Sequence, residues 1–421
     1  MKESTAGAGR FTGGGAAPWV AAVCLALVSI QLAHSSYPAV MPLIRAQWAI
    51  SNTEAGLIQA AFYAGYLLAV VTLLPLTDRG VDTKHIWFAS ILVAAISNTL
   101  FPLLAGNVAQ AVLLRAAAGV GTLGVYMPGI RMVSERFSGG RRGTVVGIYS
   151  AAFGAANALS FALTGWLVPR LDWEGAYLVA GLIGFAGILP GLYVLFFTPP
   201  STPAPSAPPV SVWATITHRP LLLVVLAYAV HNWELLGMKA WIATFLAVSL
   251  VSRGASLAVA TAQAGLLAAA LGILGGLSMA ATGRISDRYG RTATSIVIML
   301  AGAACSFAIG WLLHGPLWLL IAMALFYGIA VVAESPVLMT AVTELAPPGR
   351  LGAAQASQAF LGNITSVLAP LVFGVILDSV AGVGGWVLAF SCLGLGGLGG
   401  AALMLSLRRR EDSLALAGGR R

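Results

Sequence analysis

Apolar residues in this chain neither alternate nor mark out a single helical stripe. They come in long blocks, and each block is closed by a short charged or turn-forming interruption. About 20 consecutive apolar residues cross a bilayer as a helix, so each block predicts one membrane span. The blocks cover residues 18–43, 53–76, 85–105, 108–131, 143–168, 176–197, 220–248, 259–282, 292–313, 316–342, 353–377 and 384–407. We number these spans 1 to 12. An even number of crossings places both chain ends on one side, and the pattern predicts an all-α polytopic membrane protein.

Composition agrees. The 421 residues are 58% hydrophobic and 9% charged, against about 25% charged in soluble domains, and the mean hydropathy is +0.89. A net charge of +9 would suit a nucleic-acid partner, but its distribution points elsewhere. If the N-terminus is cytoplasmic, eighteen Lys and Arg residues fall on the inner face, three (Arg45, Arg170 and Arg253) on the outer face, and two (Arg115 and Lys239) within spans. That bias is the positive-inside pattern, and anionic lipid headgroups are sufficient partners for it. Residues 16–33 could pass for a signal peptide, but the apolar run continues past Ser36 and further spans follow, so a first membrane helix is expected. Cys24, Cys305 and Cys392 have no metal spacing and are read as small core residues. There is no G-x-x-x-x-G-K-[ST] motif to hold ATP. No cofactor or metal is expected, nor a nucleic-acid partner.

The stretch Thr198–Pro209 is rich in proline and serine and reads as a semi-rigid linker. It divides the chain into six spans at 1–197, a linker at 198–218, and six spans with a short basic tail at 219–421. The halves repeat. A shift of 209 residues lays Asp78-Arg79 on Asp287-Arg288, Ala55-Gly56-Leu57 on Ala264-Gly265-Leu266, and Glu135 on Glu344. A shift of 208 lays Tyr126 on Glu334 and Pro128 on Pro336, and one of about 197 brings His34 to His231. A parallel repeat of this kind places a substrate site near the bilayer midplane, between the halves.

The connection between spans 8 and 9 reads Gly283-Arg-Ile-Ser-Asp287-Arg288-Tyr-Gly290-Arg291. With the repeat, it makes the chain resemble the major facilitator superfamily over its whole length, matching the family's loop signature at Gly283, Asp287, Arg288, Gly290 and Arg291. The first-half copy keeps Asp78 and Arg79 but has Leu74, Val81 and Asp82 where the signature has Gly, Gly and Arg, so a weaker gate is expected there. The resemblance implies that these residues form a cytoplasmic gate. It also implies a fold of two six-helix bundles related by a pseudo-twofold axis. Arg115-x-x-x-Gly119-x-Gly121 in span 4 is similar to a second family motif, whose arginine is associated with proton or substrate coupling. The Gly-Pro of span 5 typical of drug/proton antiporters is missing, which favours symport over export. The arginines of nitrate porters are also missing from spans 2 and 8.

Charge inside a bilayer costs at least about 2.5–3.5 kcal/mol per group, so the ionisable residues within spans form a short list. Span 7 holds His231, Glu234 and Lys239. His231 and Glu234 are three apart and share a helix face, and Glu234 lies near mid-membrane. A carboxyl there is cheapest in its neutral form and can take up and release a proton, with the imidazole as relay. The expected coupling group is therefore Glu234 with His231 as its partner, joined by Glu334 and Arg115. A hydrogen bond that only fixes span 7 against a neighbour is the competing reading. Glu334 precedes Pro336, where the helix should be interrupted, and Tyr126 occupies the related place before Pro128. Candidate substrate contacts are Arg115, His34, Lys239, Tyr37, Tyr63, Tyr66, Tyr126 and Trp233, although each aromatic could equally be a packing residue. The expected protein is a monomeric, multi-pass secondary transporter of the plasma (inner) membrane, with cytoplasmic termini. It would carry a small organic anion or zwitterion by alternating access, coupled to protons. A drug or metabolite exporter, or a non-transporting sensor of the same fold, is the alternative.

Overall fold

A computed structural model describes residues 16–137, 140–200, 218–347 and 350–420. Among these residues the secondary structure is helical. Eleven helical stretches are long and apolar enough to cross a membrane, and one of them, Arg141–Phe197, runs for 57 residues. It is interrupted at Asp172 (φ 56°, ψ −177°), so it holds spans 5 and 6, and all twelve predicted spans are present. The sequence suggested a loop at 169–175, whereas the chain turns at Asp172 alone. Most of the linker expected at 198–218 lies outside the described residues.

Two spans are broken. Span 1 consists of Ala16–Gln31 and Ser36–Trp48. Pro38 is the cause. It has no N–H to close on the His34 carbonyl four residues back, and its ring crowds that carbonyl. Span 10 consists of Leu317–Ala333 and Ser335–Leu345, with Glu334 at the joint and Pro336 just after it. Span 7, Arg219–Val251, and span 4, Val108–Arg136, are unbroken. The interruption expected at Tyr126–Pro128 is therefore absent. A single lost backbone bond, here to the Gly124 carbonyl, is tolerated in a packed span, and the Tyr149 hydroxyl donates to the adjacent Val125 carbonyl (2.9 Å).

The two bundles touch at one end and part at the other. At the face opposite the termini, the Asp378 carboxylate accepts from Asn52 N (3.0 Å), Asn52 Nδ2 (2.7 Å), Thr53 N (2.7 Å) and Thr53 Oγ1 (2.6 Å). An acid from span 11 thus caps the N-terminus of span 2 across the divide, where unpaired N–H groups and the helix dipole favour an anion. Below it the backbones nearly touch: a Cβ on Gly56 would stand 2.4 Å from the Pro370 carbonyl oxygen, and one on Gly374 2.4 Å from that of Asn52. Spans 5 and 8 meet in the same way at Gly165 and Ala262, and remain in contact as far as Ala158 and Gly272. One turn further toward the termini the contact ends. A Cβ on Gly154, Gly147 or Gly143 of span 5, or on Gly276 or Gly283 of span 8, would meet nothing within 4 Å. The space between the bundles is closed at one face and open at the face that bears the termini.

Candidate functional site

Arg115 is 1% exposed. Its guanidinium donates to Gln59 Oε1 and to the Tyr177 hydroxyl (3.2 Å each), and Tyr177 in turn reaches Asn98 Oδ1 at 3.3 Å. The same cation lies over the Phe62 ring (4.6 Å) and the Tyr37 ring (5.2 Å). Cation–π contacts contribute about 2 kcal/mol or more when desolvated. No described carboxylate touches Arg115. All these partners belong to the first half, and Arg115 Nε has no described partner.

The carboxyl groups of the second half are arranged differently. Glu234 is fully buried; its Oε1 accepts from Ser306 Oγ (2.7 Å), and that hydroxyl meets the Tyr327 hydroxyl at 2.5 Å. Its Oε2 has no described partner. It sits 2.7 Å from where a Gly397 Cβ would be and 3.6 Å from that of Gly302, so two glycines of spans 12 and 9 make room for it. His231 does not pair with Glu234, contrary to the expectation from their spacing. Its Nδ1 stands 3.3 Å from Glu334 Oε1, and its Nε2 meets Ser335 Oγ at 2.8 Å. Three residues of helix separate the two side chains by about 60° around the axis. That angle sends Glu234 toward spans 9 and 12 and His231 toward the break in span 10. The His231–Glu334 distance suits an ion pair, but its angle misses a hydrogen bond, and both Glu334 oxygens are left without one.

The remaining candidates separate by exposure. Tyr37 and Tyr63 are buried, and the Tyr37 hydroxyl donates to the Ala55 carbonyl (2.9 Å). Trp233 donates to the Cys392 carbonyl (3.1 Å), so it ties span 7 to span 12. His34, Tyr66, Tyr126 and Lys239 are half-buried. Tyr126 packs on Phe153 and Tyr149, and His34 lies edge-on to Phe62 at 4.8 Å. Arg115 and Lys239 are both within electrostatic reach of His34. Sequence reasoning did not find the hydroxyl and amide ligands that hold the site: Gln59, Asn98, Tyr177, Ser306 and Tyr327. Their only signal is that they are polar residues within apolar blocks.

At the termini face, Gly290 (φ 95°) joins spans 8 and 9 without a loop. That backbone conformation strains any residue with a Cβ. Arg291 bonds Asp287 (2.6 Å), Glu344 (3.0 Å) and Ser286 (2.5 Å). Glu344 Oε2 also accepts from Ala417 N (3.1 Å), and Arg420 donates to the Asp287 carbonyl (2.6 Å), so the tail folds back onto this loop. Arg288 lies against its neighbour Tyr289. All these partners are in the second half. In the first half, Arg131 reaches Glu135 (2.9 Å) and Thr77, and the Arg79 N–H bonds the Pro75 and Leu76 carbonyls. The Asp78 side chain lies outside the described set.

Twelve spans in two bundles around a polar midplane define a polytopic membrane protein. A family model described as Major Facilitator Superfamily matches residues 23–370 and 235–420, and the chain belongs to that superfamily. A bacterial homologue of the human lysosomal transporter Spinster, solved inward-facing and unoccupied, shares the fold (TM-score 0.74, 16% identity, 94% of this chain and 98% of that one). So does the nucleoside transporter NupG (TM-score 0.74, 11% identity, 93% and 100%). Among curated proteins, multidrug transporter protein MdtP of Bacillus subtilis (strain 168) is 25% identical over 127 residues, 30% of this chain and 23% of that protein. A probable L-galactonate transporter of Escherichia coli (strain K12) is 27% identical over 157 residues, 36% and 33%. The tetracenomycin C resistance and export protein of Streptomyces glaucescens is 28% identical over 133 residues, 31% and 25%. The match thus spans about a quarter to a third of these relatives.

Proposed function

We propose that this protein is a proton-coupled secondary transporter that takes up a small anionic or zwitterionic organic solute by alternating access. It would work as a monomer in the plasma (inner) membrane with both termini in the cytoplasm, and the arrangement described above is then its inward-facing state. The observation that carries the reading is the pair of fully buried carboxyls, Glu234 and Glu334, with no described lysine or arginine paired to either. Glu234, whose Oε2 has no described partner, would exchange a proton as the site opens toward one face or the other. Glu234 is the coupling group, and the His231–Glu334 pair joins it from the break in span 10. Asp287, Arg288 and Arg291 would form the inner gate with Gly283 and Gly290, and the pair Asp78 and Arg79 would be its first-half counterpart.

The test is transport by the purified protein in proteoliposomes. The panel comprises carboxylates, amino acids, sugars and cationic drugs, first screened by thermal shift. An inward proton gradient should drive accumulation of a carboxylate or amino acid. Accumulation that ignores the gradient for every bound solute would overturn the reading. Export is the second reading, favoured by the resemblance to two proteins named for multidrug transport and for export of tetracenomycin C. It predicts gradient-driven extrusion of a cationic or aromatic compound instead.

A further inference from the structure

The cation that the midplane leaves open is Lys239. Leu236, three residues before it, packs against the first-half cluster of Phe62, Tyr63 and Ala118, and Ala243, four residues after it, belongs to one cluster with Ala39 and Phe161. Residues at these spacings share a helix face, so Lys239 projects from the second half toward the first. It does so at the level of the break in span 1, between the Phe62 cluster and Ala39. No hydrogen bond or ion pair to Lys239 is described, and its charge is felt at His34, on that break. The break also supplies unused polar groups. The His34 carbonyl loses its helical donor to Pro38, and none of the described backbone bonds ends on it. His34 Nδ1 is unpartnered, and Gln31, fully buried, has neither amide atom bonded.

The charges do not balance locally. Arg115 and Lys239 both act electrostatically on His34, while the buried acids look away, Glu334 toward His231 and Glu234 toward Ser306. Arg115 is ringed by its cage, though its Nε has no described partner, whereas Lys239 is half-buried with no described counter-ion; an uncompensated charge within a membrane span is expensive, which leaves Lys239 open to an anion from outside the protein. We propose that Lys239 binds the carboxylate of the transported solute. The freed His34 carbonyl and the His34 ring then take hydrogen-bond donors carried on the neighbouring carbon. The solute class is a hydroxy- or amino-carboxylate, and Arg115 holds the wall behind it without touching it. This rests on the transport reading above and names its substrate site.

The test uses the full-length protein in detergent, with calorimetric titration of D-gluconate and L-serine and with D-glucose as the uncharged control. At least one of the two carboxylates should bind and glucose should not. Lys239→Gln should weaken binding tenfold or more, and Lys239→Arg should stay within about threefold of the parent. In a background with Cys24, Cys305 and Cys392 changed to alanine that binds like the parent, Lys239→Cys should lose binding. Aminoethyl methanethiosulfonate, which restores an ammonium, should return it, and the sulfonatoethyl reagent should not. Equal affinity in Lys239→Gln, equal binding of glucose, or a parent that binds neither carboxylate would each overturn the proposal. Gradient-driven accumulation of some other solute would in that case leave the transport reading standing.

Discussion

The two halves of this protein share one plan and use it in opposite ways. In the first half a permanent cation, Arg115, is buried among uncharged groups: an amide oxygen, a hydroxyl and two ring faces. In the second half carboxyls are buried against hydroxyls and an imidazole. Arginine does not lose its proton in a protein, whereas a secluded carboxyl can exchange one. The broken helices differ as well, span 1 in one half and span 10 in the other. His34 and His231 are related by the repeat, yet one lies at a helix break and the other in a continuous helix beside its neighbour's break. The difference teaches that one repeat can bury a charge that is fixed in one half and a group able to exchange a proton in the other.

That contrast can be broken from the fixed side. Arg115→Ala should empty the cage and strand Gln59 and Tyr177, at a cost on the order of 3 kcal/mol, read as a large drop in melting temperature. Lys239→Gln, by comparison, removes an unpaired charge and should leave the melting temperature unchanged or raised. If Arg115→Ala melts like the parent but loses solute binding selectively, the cage is a binding site after all. Gly397→Ala sharpens the other side. Its methyl would stand 2.7 Å from Glu234 Oε2 and 2.9 Å from the Met299 carbonyl oxygen, at an overpacking cost of about 1–3 kcal/mol. Proton-coupled uptake should fall with it; unchanged coupling would mean that Glu234 does not need its niche.

A smaller effect is expected where the halves are joined. Asp378→Asn keeps the shape of the cap on span 2 but removes its charge, a loss of about 1 kcal/mol, or roughly fivefold in the balance between the two states. Spin labels across spans 5 and 8 at the termini face should then report a larger closed fraction. An unchanged distance distribution would show that the glycine contacts alone hold the far face shut. Ser335→Ala, which removes one hydrogen bond from His231, should cost the least, about 1 kcal/mol or under.

The twelve spans were legible because a bilayer demands unbroken apolar length, and the repeat was legible because loop residues such as Asp78 and Asp287 kept their places. The break at Glu334 followed from Pro336. The one in span 1 was equally available from Pro38 but was passed over. Residue spacing could not say which way a side chain turns: His231 and Glu234 share a face and still serve different neighbours. Nor could it separate Arg115 from Lys239, since both read as lone cations within apolar blocks. Only the packing of Phe62, Tyr37, Gln59 and Tyr177 around one of them makes the distinction.

The most direct measurement compares Glu234→Gln with the parent in proteoliposomes, for a solute that the parent accumulates. Two assays are run: counterflow exchange without a gradient, and accumulation under an inward proton gradient. The account predicts that Glu234→Gln keeps exchange within a few-fold of the parent and loses gradient-driven accumulation. A variant that still accumulates solute under the gradient as the parent does would contradict the claim that the second half carries the proton.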